Sequence, residues 1–282
     1  MAIGAETVTP VPEGPGAATN AFKAIIYLLL IVNCIIFFMD DWQAARGYLN
    51  SGASLQEWFD AFPTALDDLA WLVLALIYEF ETAWARRNGA GPRHRLRHAA
   101  VVLCYFVILH TFYVYLQDLG AVYRYAPLTG VDSACDVSGA GYYFFDNQHY
   151  TEVRADNCAA LGRGSEYFRY QGNTITDAAG LFMALIQSWA AVLESGLWIL
   201  IVTLLAAMTI VQERGVSRSR LFRVADISII IGYTLIALIS FYWAWMDWPI
   251  YLWDNFLWTG AFAAIELNLL RWRRRLRRTA AT

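Results

Sequence analysis

Six stretches of the chain are apolar over helix-length windows, with short polar clusters between them. The first covers 22–39, from Phe22 to Met39, and stops at Asp40-Asp41-Trp42. The next is 69–85. The third is 99–117, closed by Asp118. Each approaches the roughly 20 residues that one bilayer crossing needs. From Ala178 to Gln212 the pattern is helical for 35 residues. At 1.5 Å per residue that is about 50 Å, against a hydrocarbon core of about 30 Å. It is therefore read as an amphipathic approach helix to about residue 190 and a fourth span over 192–212, bending near Ser195-Gly196. The fifth span is 226–246. After the turn Asp247-Trp248-Pro249 comes the sixth, 252–270.

The predicted class is an all-α polytopic membrane protein. Its six transmembrane helices form three two-helix hairpins, and an external loop is closed by a disulfide. Residues 1–21 read as a flexible tail, 22–118 as the first hairpin and third span, 119–178 as the external loop, 179–270 as spans four to six, and 271–282 as a basic tail. Within the loop, Gly141 to Val153, with Asp146-Asn147-Gln148 at its middle, reads as a short β-hairpin. Cys135 and Cys158 share this loop, where an oxidising compartment makes a disulfide the default. Cys34 and Cys104 fall in apolar runs and read as buried small residues.

Charge fixes the expected orientation. Of 282 residues, 58% are hydrophobic and 16% charged, well under the ~25% of a soluble domain. Fifteen of the 20 arginines lie in the segments 86–98, 214–223 and 271–278. All three fall on one side of a six-span topology, which makes that side cytoplasmic, along with both termini. The other side carries 16 acids and five arginines. Most tryptophans also lie near that outer side, as in an interfacial belt. The expected setting is the inner (plasma) membrane, with anionic lipids at the Arg-rich face.

One polar pattern recurs. Asp67-Asp68-Leu69-Ala70-Trp71, then Glu79 and Arg86-Arg87, is repeated at identical spacing by Asp254-Asn255-Phe256-Leu257-Trp258, Glu266 and Arg273-Arg274. Glu194-Ser195-Gly196-Leu197-Trp198 repeats its acid-x3-Trp part, with Ala206 where the others have Glu. Hairpin repeats of this kind occur in transporters.

Phe22-Lys23-Ala24-Ile25-Ile26 with Asn33 and Asp40 resembles the first helix of the voltage-gated cation channel superfamily. Ile77-Tyr78-Glu79-Phe80-Glu81 to Arg86 resembles its second helix, as does Phe262-Ala263-Ala264-Ile265-Glu266 to Arg273. The resemblance implies a helical membrane protein handling cations. It covers only those helices. The fourth span has no ladder of basic residues, and the seven residues from Asp247 to Trp253 cannot hold a pore filter.

Glu79 and Glu266 sit about ten residues inside their spans. An uncompensated charge there costs about 2.5–3.5 kcal/mol. They are read either as a cation or proton site or as structural ion pairs. Glu81, Asp68, Asp254 and Glu194 complete the acidic candidates for an ion pathway. His110, in mid-span, is read as a proton relay or a hydrogen-bonded core residue. No Cys/His spacing points to a metal site, and no motif points to an enzyme, a cofactor or nucleic-acid binding. Two function classes follow: a cation or proton channel or transporter, functioning as a homo-oligomer, or an accessory subunit of a larger membrane complex.

Overall fold

The computed structural model describes residues 17–49, 52–88, 94–162, 164, 166–170, 172–213 and 220–262. Its helices are α1 (Ala17–Tyr48), α2 (Leu55–Asp60), α3 (Pro63–Asn88), α4 (His94–Val122), α5 (Ala178–Glu213) and α6 (Arg220–Trp245). A further helix, α7, covers 249–262. Four helical stretches, Thr19–Arg46, Leu96–Val122, Ala178–Met208 and Arg220–Trp245, are long and apolar enough to cross a bilayer. The chain is therefore a membrane protein. The large apolar side chains that these helices leave uncovered, such as Val102 and Phe106 on α4 and Ile227 and Ile230 on α6, are the surface lipid would cover.

The helices begin where the sequence provides caps. α2 starts with a capping box: Ser54 Oγ accepts from the Glu57 N–H, and Glu57 accepts from the Ser54 N–H at 2.6 Å. That backbone bond, with the Ser54 side chain, holds the Glu57 carboxyl below its ordinary range. α3 opens on Pro63, which needs no N–H partner. Asp41 of α1 accepts from the Ala65 N–H at 2.9 Å, meeting one of the free donors at that helix start. At α5, Asp177 Oδ1 accepts from the Gly180 N–H at 2.8 Å. A Cβ on Gly180 would collide with Thr176 Oγ1, which explains glycine there.

By contacts the chain forms two compact units. One is Ile31–Asn255. The other combines Met1–Leu30 with Phe256–Thr282. In the smaller unit, Gly260 of α7 lies so near Ile26 of α1 that a Cβ would meet its Cδ1 at 3.3 Å. In the larger, α3 packs on α4, α4 on α5, and α5 on α6. Gly232 of α6 admits Ile201 of α5, which is fully buried.

Three expectations are corrected. α5 is one continuous helix from Ala178 to Glu213, so the approach helix and the span are a single element. Its outer turns are helical because they pack on a folded domain rather than on lipid. The chain is not all-α: the 119–178 region folds around four strands, β1 (Tyr143–Asp146), β2 (His149–Glu152), β3 (Tyr167–Arg169) and β4 (Thr174–Asp177). Their order is β2-β1-β4-β3, with β1 parallel to β4 and the outer pairs antiparallel. The expected β1–β2 hairpin is present. β3 and β4 were not expected, because three- and four-residue strands leave little periodicity to read. Finally, α1 starts at Ala17, inside the segment read as a tail.

The Cys135–Cys158 disulfide is formed across a separation of 23 residues. Around it Ala134, Val153, Phe144, Tyr167 and Ile175 make a small core. A second cluster, Val122, Phe145 and Ala184, joins the sheet to α4 and α5, and Phe145 stacks on Tyr170 at 4.3 Å. A core this small depends on its cross-link. Replacing both cysteines by serine is expected to destabilise the domain formed by the 119–178 region by about 3 kcal/mol on the loop-entropy account. Limited proteolysis of residues 123–177, compared with cleavage elsewhere in the chain, measures it.

Candidate functional site

Acidic side chains from the first turns of α3 and α7 and from the middle of α5 come together. The carboxylates of Asp67, Asp68, Glu194 and Asp254 lie within electrostatic reach of one another. Three of them, Asp67, Glu194 and Asp254, are the acids of the three acid-x3-Trp segments. The residue that follows each aspartate turns to a different neighbour, because adjacent helical positions differ by about 100°. Asp254 accepts from Asn33 Nδ2 of α1 at 2.9 Å. Asn255 instead faces α5, donating to Glu194 and accepting from Trp198 Nε1 at 3.1 Å. Asp68 is buried and accepts from the Cys34 thiol at 2.9 Å.

Hydrogen-bond supply differs among the four. Glu194 is well provided: Asn255 donates to Oε1, and Trp243 Nε1 donates to Oε2 at 2.9 Å. Asp67 receives from Trp71, four residues on, but its Oδ1 is enclosed and has no hydrogen-bond partner. Among the described residues no lysine, arginine or histidine pairs with Asp67, Glu194 or Asp254.

Aromatic residues enclose the group. Tyr251, at the start of α7, lies near Asp40, Asp41, Glu194 and Asp254. Its ring stacks on Phe37 at 5.4 Å and packs on Trp243 at 5.0 Å. Asp68 is buried, and Asp67, Glu194 and Asp254 are half-buried, which strengthens the charge interactions among them.

Like charges near one another repel, and the more so where water is scarce. A cluster of carboxylates therefore favours compensating positive charge, either protons or a cation.

The remaining sequence candidates fall elsewhere. Glu79 is half-buried and lies 12 residues beyond Asp67, roughly 18 Å along α3, so it belongs to a different level. The Glu81 side chain and Glu266 lie outside the described residues. His110 is not in the acidic group: its Nε2 meets Asp60 of α2 at 3.4 Å, between the rings of Phe59 and Phe106. Cys34, read as a small apolar residue, is a half-buried donor to Asp68. Asn33, Asn255, Trp243 and Tyr251 were not picked as site residues. Asn255 carried a signal, since it occupies in the repeat the place of Asp68.

No protein-family model matches the chain, and no curated protein or solved structure matches it either.

Asn255→Leu removes the Glu194 Oε1 donor while nearly keeping the volume. An enclosed acceptor that loses its donor costs about 1–3 kcal/mol. We expect a lower melting temperature in detergent, with the disulfide intact, and a smaller loss for Asn255→Gln.

Proposed function

We propose that the protein moves cations, with protons favoured, through the acidic group shared by α3, α5 and α7. The observation that carries this is the meeting of Asp67, Glu194 and Asp254 without basic partners among the described residues, with Asp67 Oδ1 left undonated. A group of this kind binds and releases positive charge at little cost, because any single charge added relieves repulsion among those present. Protons are favoured over a stripped metal ion because, among the described residues, no three His, Cys, Asp or Glu side chains converge closely enough to hold one.

In this reading α3 and α7 complete six crossings in three hairpins, each delivering one acid-x3-Trp acid to the group. The Arg-rich segments face the cytoplasm and its anionic lipids, and the membrane is the inner (plasma) one. The excess of external acids draws cations toward the outer face. Glu79, about 18 Å further along α3, belongs to a separate level. The likeness of α1 and α3 to the voltage-gated cation channel superfamily agrees with cation handling. A homo-oligomer supplies any continuous pore. The second reading, an accessory subunit, is favoured by the folded external domain, which offers a partner a rigid surface.

Reconstitution in proteoliposomes separates the two. We expect proton flux, or flux of another monovalent cation, in the parent. Asp67→Asn and Asp254→Asn should each reduce it at least about tenfold, the effect of removing about 1.4 kcal/mol of interaction. Glu194→Gln, which retains its acceptor for Trp243, should reduce it less. Absence of flux in folded protein would leave the accessory reading.

A further inference from the structure

The tip of the β1–β2 hairpin is joined to the turn between α6 and α7. Asn147 has a positive φ of 46° and Gln148 one of 63°, the left-handed pair that a tight two-residue hairpin turn requires. In this conformation Asn147 is bonded on three sides. Its Nδ2 donates to the Met246 carbonyl at 2.9 Å. Its Oδ1 accepts from Gln187 Nε2 of α5 at 2.7 Å. Its own carbonyl accepts from Trp248 Nε1 at 3.2 Å. Gln187 is 4% exposed, so its bond to Asn147 is sheltered from competing water. The His149 ring lies on Trp248 at 5.1 Å.

The turn leads directly to the carboxylates. Trp243, one turn of α6 before Met246, donates to Glu194, and its ring packs on Tyr251. The Trp248 N–H is tied to Asn147, while its backbone N–H bonds the Trp243 carbonyl at 2.9 Å. Asp247, between them, is itself left-handed at φ 65°. An αL conformation in a non-glycine residue persists where its surroundings hold it. The hairpin tip supplies that hold.

We infer that the β1–β2 hairpin is a latch that keeps the α6–α7 turn closed over the acidic group, with Asn147 as the positioning residue. This rests on the reading of that group as the functional site. The external domain then regulates access: with Asn147 engaged, Trp243 and Tyr251 stay in place between the carboxylates and the outer medium. With it released, the turn and its aromatic residues swing out together.

The protein carries its own reporter of that state. Cys34, bonded to Asp68, lies inside the group, and Cys104 is the other free cysteine. In a Cys104→Ser background, full-length protein in vesicles is treated with a charged, membrane-impermeant methanethiosulfonate, and the rate of Cys34 labelling is followed by mass spectrometry. Asn147→Gly keeps the left-handed turn and removes both side-chain bonds. It should raise the rate about tenfold, the effect of losing one to two buried hydrogen bonds. Asn147→Asp, which keeps the acceptor for Gln187, should fall between the two. Val153→Ala, in the core of the external domain and away from the latch, tests for general loosening and should leave the rate near that of the parent. An unchanged rate in Asn147→Gly with the disulfide formed would overturn the latch. So would an equal rise in Val153→Ala. Flux is not read, so failure of the transport reading and failure of the latch give different results.

Discussion

A carboxylate with little access to water needs donors or positive charge, and this chain brings four buried or half-buried ones within electrostatic reach. That requirement accounts for much of what surrounds them. Asn33 and Asn255 are amides because an amide donates without adding charge. Trp243 is a tryptophan because one side chain supplies an indole N–H to Glu194 and a broad apolar face to Tyr251. Even Cys34 serves as a donor, to Asp68. The donors are distributed unevenly: Glu194 is satisfied at both oxygens, and Asp67 at one. The uneven supply sets Asp67 apart from Glu194.

The outer architecture follows from where these acids lie. Asp67, Asp68 and Asp254 sit in the first turns of α3 and α7, and Glu194 sits halfway along α5. The 119–178 region provides structure just there: a four-stranded sheet, a disulfide and a hairpin whose tip grips the α6–α7 turn. Its contacts with α4 and α5 through Val122, Phe145 and Ala184 place it by packing, and the Asn147 bonds fix its tip. A small cross-linked core and the bonds to the α6–α7 turn thus belong to one segment.

The sequence made some of this legible. Four of the predicted spans coincide with helices apolar and long enough to cross a bilayer, because hydrocarbon imposes a strict length and composition. The disulfide could be read from compartment logic and the β1–β2 hairpin from its turn residues. The acid-x3-Trp spacing flagged Asp67, Glu194 and Asp254 as corresponding positions. It could not show that they meet, since that depends on which helices are neighbours. Attention fell on Glu79 and Glu266 because depth in the membrane is readable from one helix alone. Asn33 was legible as an interhelical hydrogen-bond partner but not its acceptor Asp254, and the donors Cys34 and Trp243 were silent for the same reason: each acts on an acid far away in sequence. β3 and β4 were too short to carry a period, and α5 read as two elements because bilayer thickness was taken as its limit.

The claim on which all else depends is that the acids of separate helices share one place. Full-length protein with Asp67→Cys and Asp254→Cys, in a background of Cys34→Ser and Cys104→Ser, tests it by cross-linking with a short bifunctional thiol reagent. The account predicts an intrachain link between the two positions, identified as a joined peptide pair by mass spectrometry. If both thiols react singly and no link between them forms, the acids are apart, and the convergence described here is wrong.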